Sequence, residues 1–94
     1  MKKFLIWETS LGYYTEGCVD LSKIVGLYRS YDAKWEYVNL LTDNEVLRVY
    51  SAEMDDDSGY EAAVIYEVFK DVITGKIPAL YREDEIIILI KEIE

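Results

Sequence analysis

The sequence predicts an α+β fold: a mainly antiparallel sheet of about five strands built on a meander, one amphipathic helix packed on one face, and a C-terminal strand returning into the sheet. Three observations carry that expectation. Residues 23–53 alternate with the two-residue period of strands and are broken by turn residues. Residues 58–74 carry one helical stripe. Residues 85–93, EIIILIKEI, are apolar at consecutive positions, as in a strand covered on both faces.

KFLIWET (3–9) reads as a strand whose Phe4 and Ile6 point one way and whose Leu5 and Trp7 point the other, so both faces are apolar. Gly12 and Gly17 bracket a short strand from Tyr13 to Glu16, and Asp20 is placed to cap one helical turn. KIVGLYRS (23–30) is a strand in which Gly26 marks a bulge or a close approach. YDAK turns the chain into WEYVNLLT (35–42). Asp43 and Asn44 suit a tight hairpin because both tolerate positive φ, and residues 45–53 complete it.

Val64, Ile65, Val68, Phe69, Val72 and Ile73 form one stripe of a helix of about 17 residues, or about 25 Å. Ser58 followed by Glu61 has the capping-box pattern, Gly75 ends the helix, and Pro78 blocks its resumption. Arg82, Glu83, Asp84 and Glu85 guard the aggregation-prone last strand, which is expected beside the first strand or between it and the meander. Residues 1–94 read as a single domain, with no repeat or linker.

Alternation sorts the meander. Val25, Leu27, Val38, Leu40, Leu47 and Val49 match the helix stripe and should face it. Tyr28, Trp35, Tyr37, Tyr50 and Arg48 then form an aromatic far face. Such a face is unusual to leave in water. Its occupant is a second copy, another protein, stacked bases, or the chain's own segment bearing Tyr13 and Tyr14, which would close a small barrel.

Charge narrows the choice. The net charge is −9, and it is uneven: residues 1–50 carry 6 bases and 7 acids, residues 51–94 carry 4 bases and 12 acids. That balance argues against direct contact with nucleic acid or an anionic membrane and suits a protein partner with a basic surface. One cysteine, Cys18, precludes an internal disulfide. No stretch is long and apolar enough for a signal-peptide core or a span, so the expected location is cytoplasmic.

Histidine is absent, which removes the commonest general base and metal ligand. Cys18 has no histidine to activate it, and no Gly-rich phosphate loop occurs. The run Asp55-Asp56-Asp57 fails as a calcium loop: with Gly59 sixth, the first ligand is Met54, and with Asp55 first, the sixth and twelfth residues are both Tyr. It fits a helix start, where acids favour the positive end of the dipole. One cap and one charge explain the position but not three aspartates plus Glu53.

The expectation is therefore a non-catalytic acidic module with no cofactor or metal. Glu53, Asp55, Asp56, Asp57 and Glu61 steer it toward a basic partner, and Tyr28, Trp35, Tyr37 and Tyr50 anchor it. In composition alone it is similar to inhibitors that mimic nucleic acid and to immunity or anti-defence proteins that occupy nucleic-acid-handling enzymes. Glu67 and Asp71 would extend the acidic row, which Lys70 interrupts. The alternative is a small-ligand protein that stacks a nucleotide-like ring on the aromatic face, as a homodimer, using Arg29, Lys34 or Arg48.

Overall fold

The computed structural model describes residues 1–77, 80–83 and 85–93. Its strands are β1 (Lys2–Thr9), β2 (Thr15–Asp20), β3 (Ile24–Tyr31), β4 (Trp35–Thr42), β5 (Val46–Glu53), β6 (Leu80–Glu83) and β7 (Ile86–Ile93), with one α-helix, α1 (Ser58–Ile73). The class is α+β and every strand pair is antiparallel. The single sheet expected from the sequence is in fact two. One runs β2-β1-β7-β6, three long strands with the four-residue β6 beside β7; the other is the meander β3-β4-β5.

The division arises where β2 meets β3. Asp20 caps a 3-10 turn, Leu21–Lys23, its carboxylate accepting the Ser22 N–H at 2.9 Å. That turn carries the chain out of the first sheet, so β2 and β3 do not pair. β2 also lies later than the expected strand at Tyr13 to Glu16. Its Gly17 opposes Trp7, and a side chain there would run into the indole ring. The glycine that looked like a strand boundary is the place where a strand gives way to a tryptophan.

The edge of β5 faces the first sheet. The Val49 carbonyl accepts the hydroxyls of Thr9 at 3.2 Å and Thr15 at 3.0 Å, and the Ser51 carbonyl accepts the Tyr13 N–H at 2.9 Å. These bonds satisfy an edge that would otherwise template pairing with another chain.

The helix packs on both sheets. Ala62, Ile65, Phe69 and Val72 are buried, with Val64, Val68 and Ile73 at the margin of the same core. They meet Leu5 and Trp7 of β1, Ile86 and Ile88 of β7, Val38 and Leu40 of β4, and Val49 and Tyr50 of β5. The helix closes as expected: Gly75 takes φ +77°, and Lys76 and Gly75 N–H groups bond the carbonyls of Asp71 and Val72 at 2.8 and 3.2 Å, a Schellman ending. Pro78 and Asp84 lie outside the described residues.

The capping box does not form. Asp57 is the N-cap residue and makes no side-chain cap bond. Asp55, two residues earlier, holds the turn instead, its Oδ1 accepting the N–H groups of Asp57 at 2.8 Å and Ser58 at 2.9 Å. The Ser58 hydroxyl in turn accepts the Asp55 N–H at 3.1 Å, and Glu61 reaches away to Tyr50.

Two bulges correct the sorting of faces. The register of β4 on β5 shifts between Val38 and Asn39, so Val38 opposes Tyr50 and Asn39 opposes Arg48, with Val49 as the extra residue. An extra residue flips everything beyond it to the other face. Tyr50 therefore joins the core, fully buried, instead of the aromatic face. The bulge expected near Gly26 leaves Val25 unpaired and 63 % exposed instead of facing the helix.

Candidate interaction surface

The site residues fall into two adjoining regions at one end of the meander. The first is the sheet face turned away from α1. Trp35 opposes Glu53 at the strand ends, and its ring lies 5.5 Å from that of Tyr13, whose hydroxyl donates to Glu53 at 3.5 Å. Tyr37 follows on the same face, with the Arg48 guanidinium 3.7 Å above its ring. Tyr28, opposite Asn39 on the outer strand, is 42 % exposed. Tyr13 thus covers the rim at Trp35, while Tyr14 stays in water and Tyr28 remains open, so the segment does not close the face.

A polar strip crosses this face that the residue alternation did not single out. Asn39, buried in mid-strand, donates to the Ser30 hydroxyl at 2.8 Å and accepts from Arg48 Nε at 3.4 Å. Asp32 accepts the N–H groups of Lys34 and Trp35, each at 2.9 Å, and the Tyr37 hydroxyl at 3.3 Å. Those backbone bonds, with Tyr37 and the Arg48 charge, hold its carboxyl below the usual aspartate range. An asparagine inside a strand and an aspartate opening a turn were the available signals.

The second region is the acidic turn and the groove behind it. Asp56 and Asp57 are exposed, whereas Asp55 is occupied by its turn. A concavity of about 440 Å3 opens between the first turns of α1 and the β6–β7 end of the other sheet. Asp57, Glu61, Glu83 and Glu85 line it with Tyr60, over a floor of Leu11, Val64 and Ile86. Glu83 and Glu85 read in the sequence only as guards of the last strand; the fold brings them to the two acids of the helix start. Farther along α1, Lys70 pairs with Glu67 at 2.7 Å, which breaks the acidic row there.

Tyr50 links the regions from beneath. Its hydroxyl donates to Glu61 Oε1 at 2.8 Å and lies 3.4 Å from the Ser58 carbonyl. Burial, then the Glu61 bond and the charges of Glu61, Glu36 and Asp55, push its ionisation well above the ordinary tyrosine range. Glu36 lies against Gly59 in the first turn of α1, and its Oε2 is buried without a hydrogen-bond partner. A raised pKa in the fold means stability that is complete below the unfolded value near 10 and is lost as pH climbs toward the folded value. The stability advantage of the native protein over Tyr50→Phe should therefore shrink as pH rises beyond about 10, read from urea unfolding across the alkaline range. A constant difference would mean that Tyr50 ionises freely in the fold.

Among the described residues, no group of three or more acids or thiols is arranged to hold a metal ion, and no helix is long and apolar enough to cross a membrane. Comparison of the chain with protein-family models, curated proteins and solved structures gives no match.

Proposed function

We propose that the protein is a non-catalytic, cytoplasmic interaction module that occupies a basic surface of another protein, in the manner of an inhibitor of a nucleic-acid-handling enzyme. The observation that supports this reading best is the groove of four carboxylates over an apolar floor. A lysine or arginine side chain fits such a site twice over: its aliphatic stem packs on Leu11, Val64 and Ile86, and its charged head meets the acids at the rim. Glu53, Asp56 and Asp57 add long-range attraction, and Trp35, Tyr37 and Tyr28 offer the aromatic contact that anchors interfaces.

Tyr50 has no place in that contact because its ring is in the core. Asp55 is likewise a poor site for a test, since its carboxylate holds the start of α1. The variant of choice is Asp56→Lys with Glu85→Lys, both exposed. It should slow association with the partner by roughly 10-fold or more at low salt, with a smaller deficit at 0.5 M salt. An unchanged on-rate removes the acidic end from the steering role.

The nucleotide-binding alternative draws on Arg48, which is held over Tyr37 beside exposed Tyr28. Arg29 gives it no help: it opposes Val38 on the helix side and donates to the Gly59 carbonyl at 3.2 Å. Lys34 lies in the turn after Asp32, which leaves Arg48 as the cation held against a ring of this face, a thin basis for binding phosphates, so the protein-partner reading is preferred. A thermal-shift screen with nucleotides separates the two, since only the alternative gives a saturable rise in Tm.

A further inference from the structure

The first and last long strands are apolar on both faces, yet the described residues cover only one. Leu5, Trp7, Ile86 and Ile88 turn toward α1 and the core. The opposite face of β1 and β7 presents Phe4, Ile6, Ile87 and Leu89, half-buried by one another, with Ile93 at 46 % exposure. Strands of this composition belong to sheets sheltered on both sides.

Among the described side chains, the charges on this face are few and sorted. Lys2 sits at one end in the row of Ile93, and Lys91 lies opposite Phe4. Glu8 and Glu16 sit directly opposite each other at the other end, a like-charge pair eased by the Tyr14 hydroxyl, which donates to Glu16 at 2.7 Å. With Asp20, which is 3.9 Å from Lys2, the described side chains of β1, β2 and β7 give this face two lysines and three carboxylates in a protein of net charge −9. Two copies meeting here would each bring a net charge of only −1 from these five groups, two lysines less three carboxylates.

We propose that this face packs on the same face of a second copy, forming a two-fold dimer of stacked sheets. The charge pattern selects the geometry. An axis along the strands would set Glu8 and Glu16 against the same acids of the partner. An axis in the interface plane and across the strands sets Lys2 over the partner's Glu8, Phe4 over the partner's Ile6, and Ile87 over the partner's Ile93. Such a contact is isologous and closes on itself. Aligned sheets pack about 10 Å apart.

Two strands of eight residues and one of six give a face of roughly 15 by 25 Å, or on the order of 400 Å2 per copy. Doubled, that is about 800 Å2 in total, below the roughly 1,200–2,000 Å2 of stable interfaces, so the dimer is weak and concentration-dependent, with a dissociation constant on the order of micromolar or weaker. This inference does not depend on the proposed partner, which uses the other sheet and the groove.

Sedimentation velocity of the purified chain from about 1 to about 500 µM tests it, a range bracketing a micromolar constant. The mass should rise from 11.0 kDa toward twice that value. Ile6→Lys should remain monomeric throughout. Lys2→Glu and Glu8→Lys, both at exposed positions, should each weaken the dimer at least about 5-fold, and the double exchange should restore most of the loss, as expected for charges that meet across the axis. A chain monomeric at the highest concentration overturns the proposal. So does a dimer indifferent to Ile6→Lys and to the lysine–glutamate exchange, which would place self-association on another face such as the aromatic one.

Discussion

Phe69→Ala should lower the free energy of unfolding by about 3–5 kcal/mol, the usual range for emptying a large buried aromatic site. Phe69 is fully buried at the centre of the helix stripe, with its ring edge-on to Trp7 at 6.1 Å and 73°. It joins α1 to the first sheet, so the cavity would open where the two sheets share one core. A protein of this length has about 5–14 kcal/mol in total, so the variant should melt more than about 12 °C lower. Tyr60→Ala on the same helix, at a residue 72 % exposed, should stay within about 0.5 kcal/mol. Comparable losses at the two positions, by urea denaturation, would mean that α1 does not pack as described.

The second large effect is expected at Gly12. Both Gly12 and Gly75 have positive φ, +66° and +77°, but their surroundings differ. A Cβ at Gly12 would lie 2.5 Å from the Ser51 carbonyl oxygen and 3.0 Å from the Tyr50 ring, whereas nothing lies within 4 Å at Gly75. Gly75→Ala therefore carries only the left-handed backbone penalty, about 1–2 kcal/mol. Gly12→Val adds a clash with backbone that also accepts the Tyr13 N–H, for a total of about 2–5 kcal/mol. It should also loosen the join between β5 and the first sheet, seen as faster amide exchange at Tyr13. Equal costs at the two glycines would remove the close approach of that loop to β5.

Much of this architecture was legible in the residues. β4 runs over the expected residues 35–42, because its alternation is strong and Asp43-Asn44 closes it cleanly. The helix stripe is the buried stripe, and the last strand lies against the first. The misassigned faces share one cause. Alternation fixes a side chain's face only while the register is unbroken, and the extra residues at Val25 and Val49 break it. Tyr50 was therefore expected on the aromatic surface and is in the core. The second sheet was hidden for a related reason: nothing in the period of TEGCVD or KIVGLYRS says whether the two strands pair.

The acidic site was legible in composition but not in shape. Three aspartates in a row signal a helix start and a local excess of charge. They do not reveal that Asp55 is consumed by its own turn, or that Glu85, thirty residues later, completes a groove with Asp57 and Glu61. That convergence depends on β7 returning beside β1, a long-range placement with no local sequence signal.

The most direct test of the binding account is a paired affinity capture from nuclease-treated lysate of the native host, using the natural protein beside Asp56→Lys/Glu85→Lys and Trp35→Ala/Tyr37→Ala. One basic protein should be recovered in near-equal amount with the natural chain, reduced by both variants, and released by salt from the charge-reversed one first. Recovery of the bait alone, or of the same proteins in equal amounts with all three baits, would contradict it.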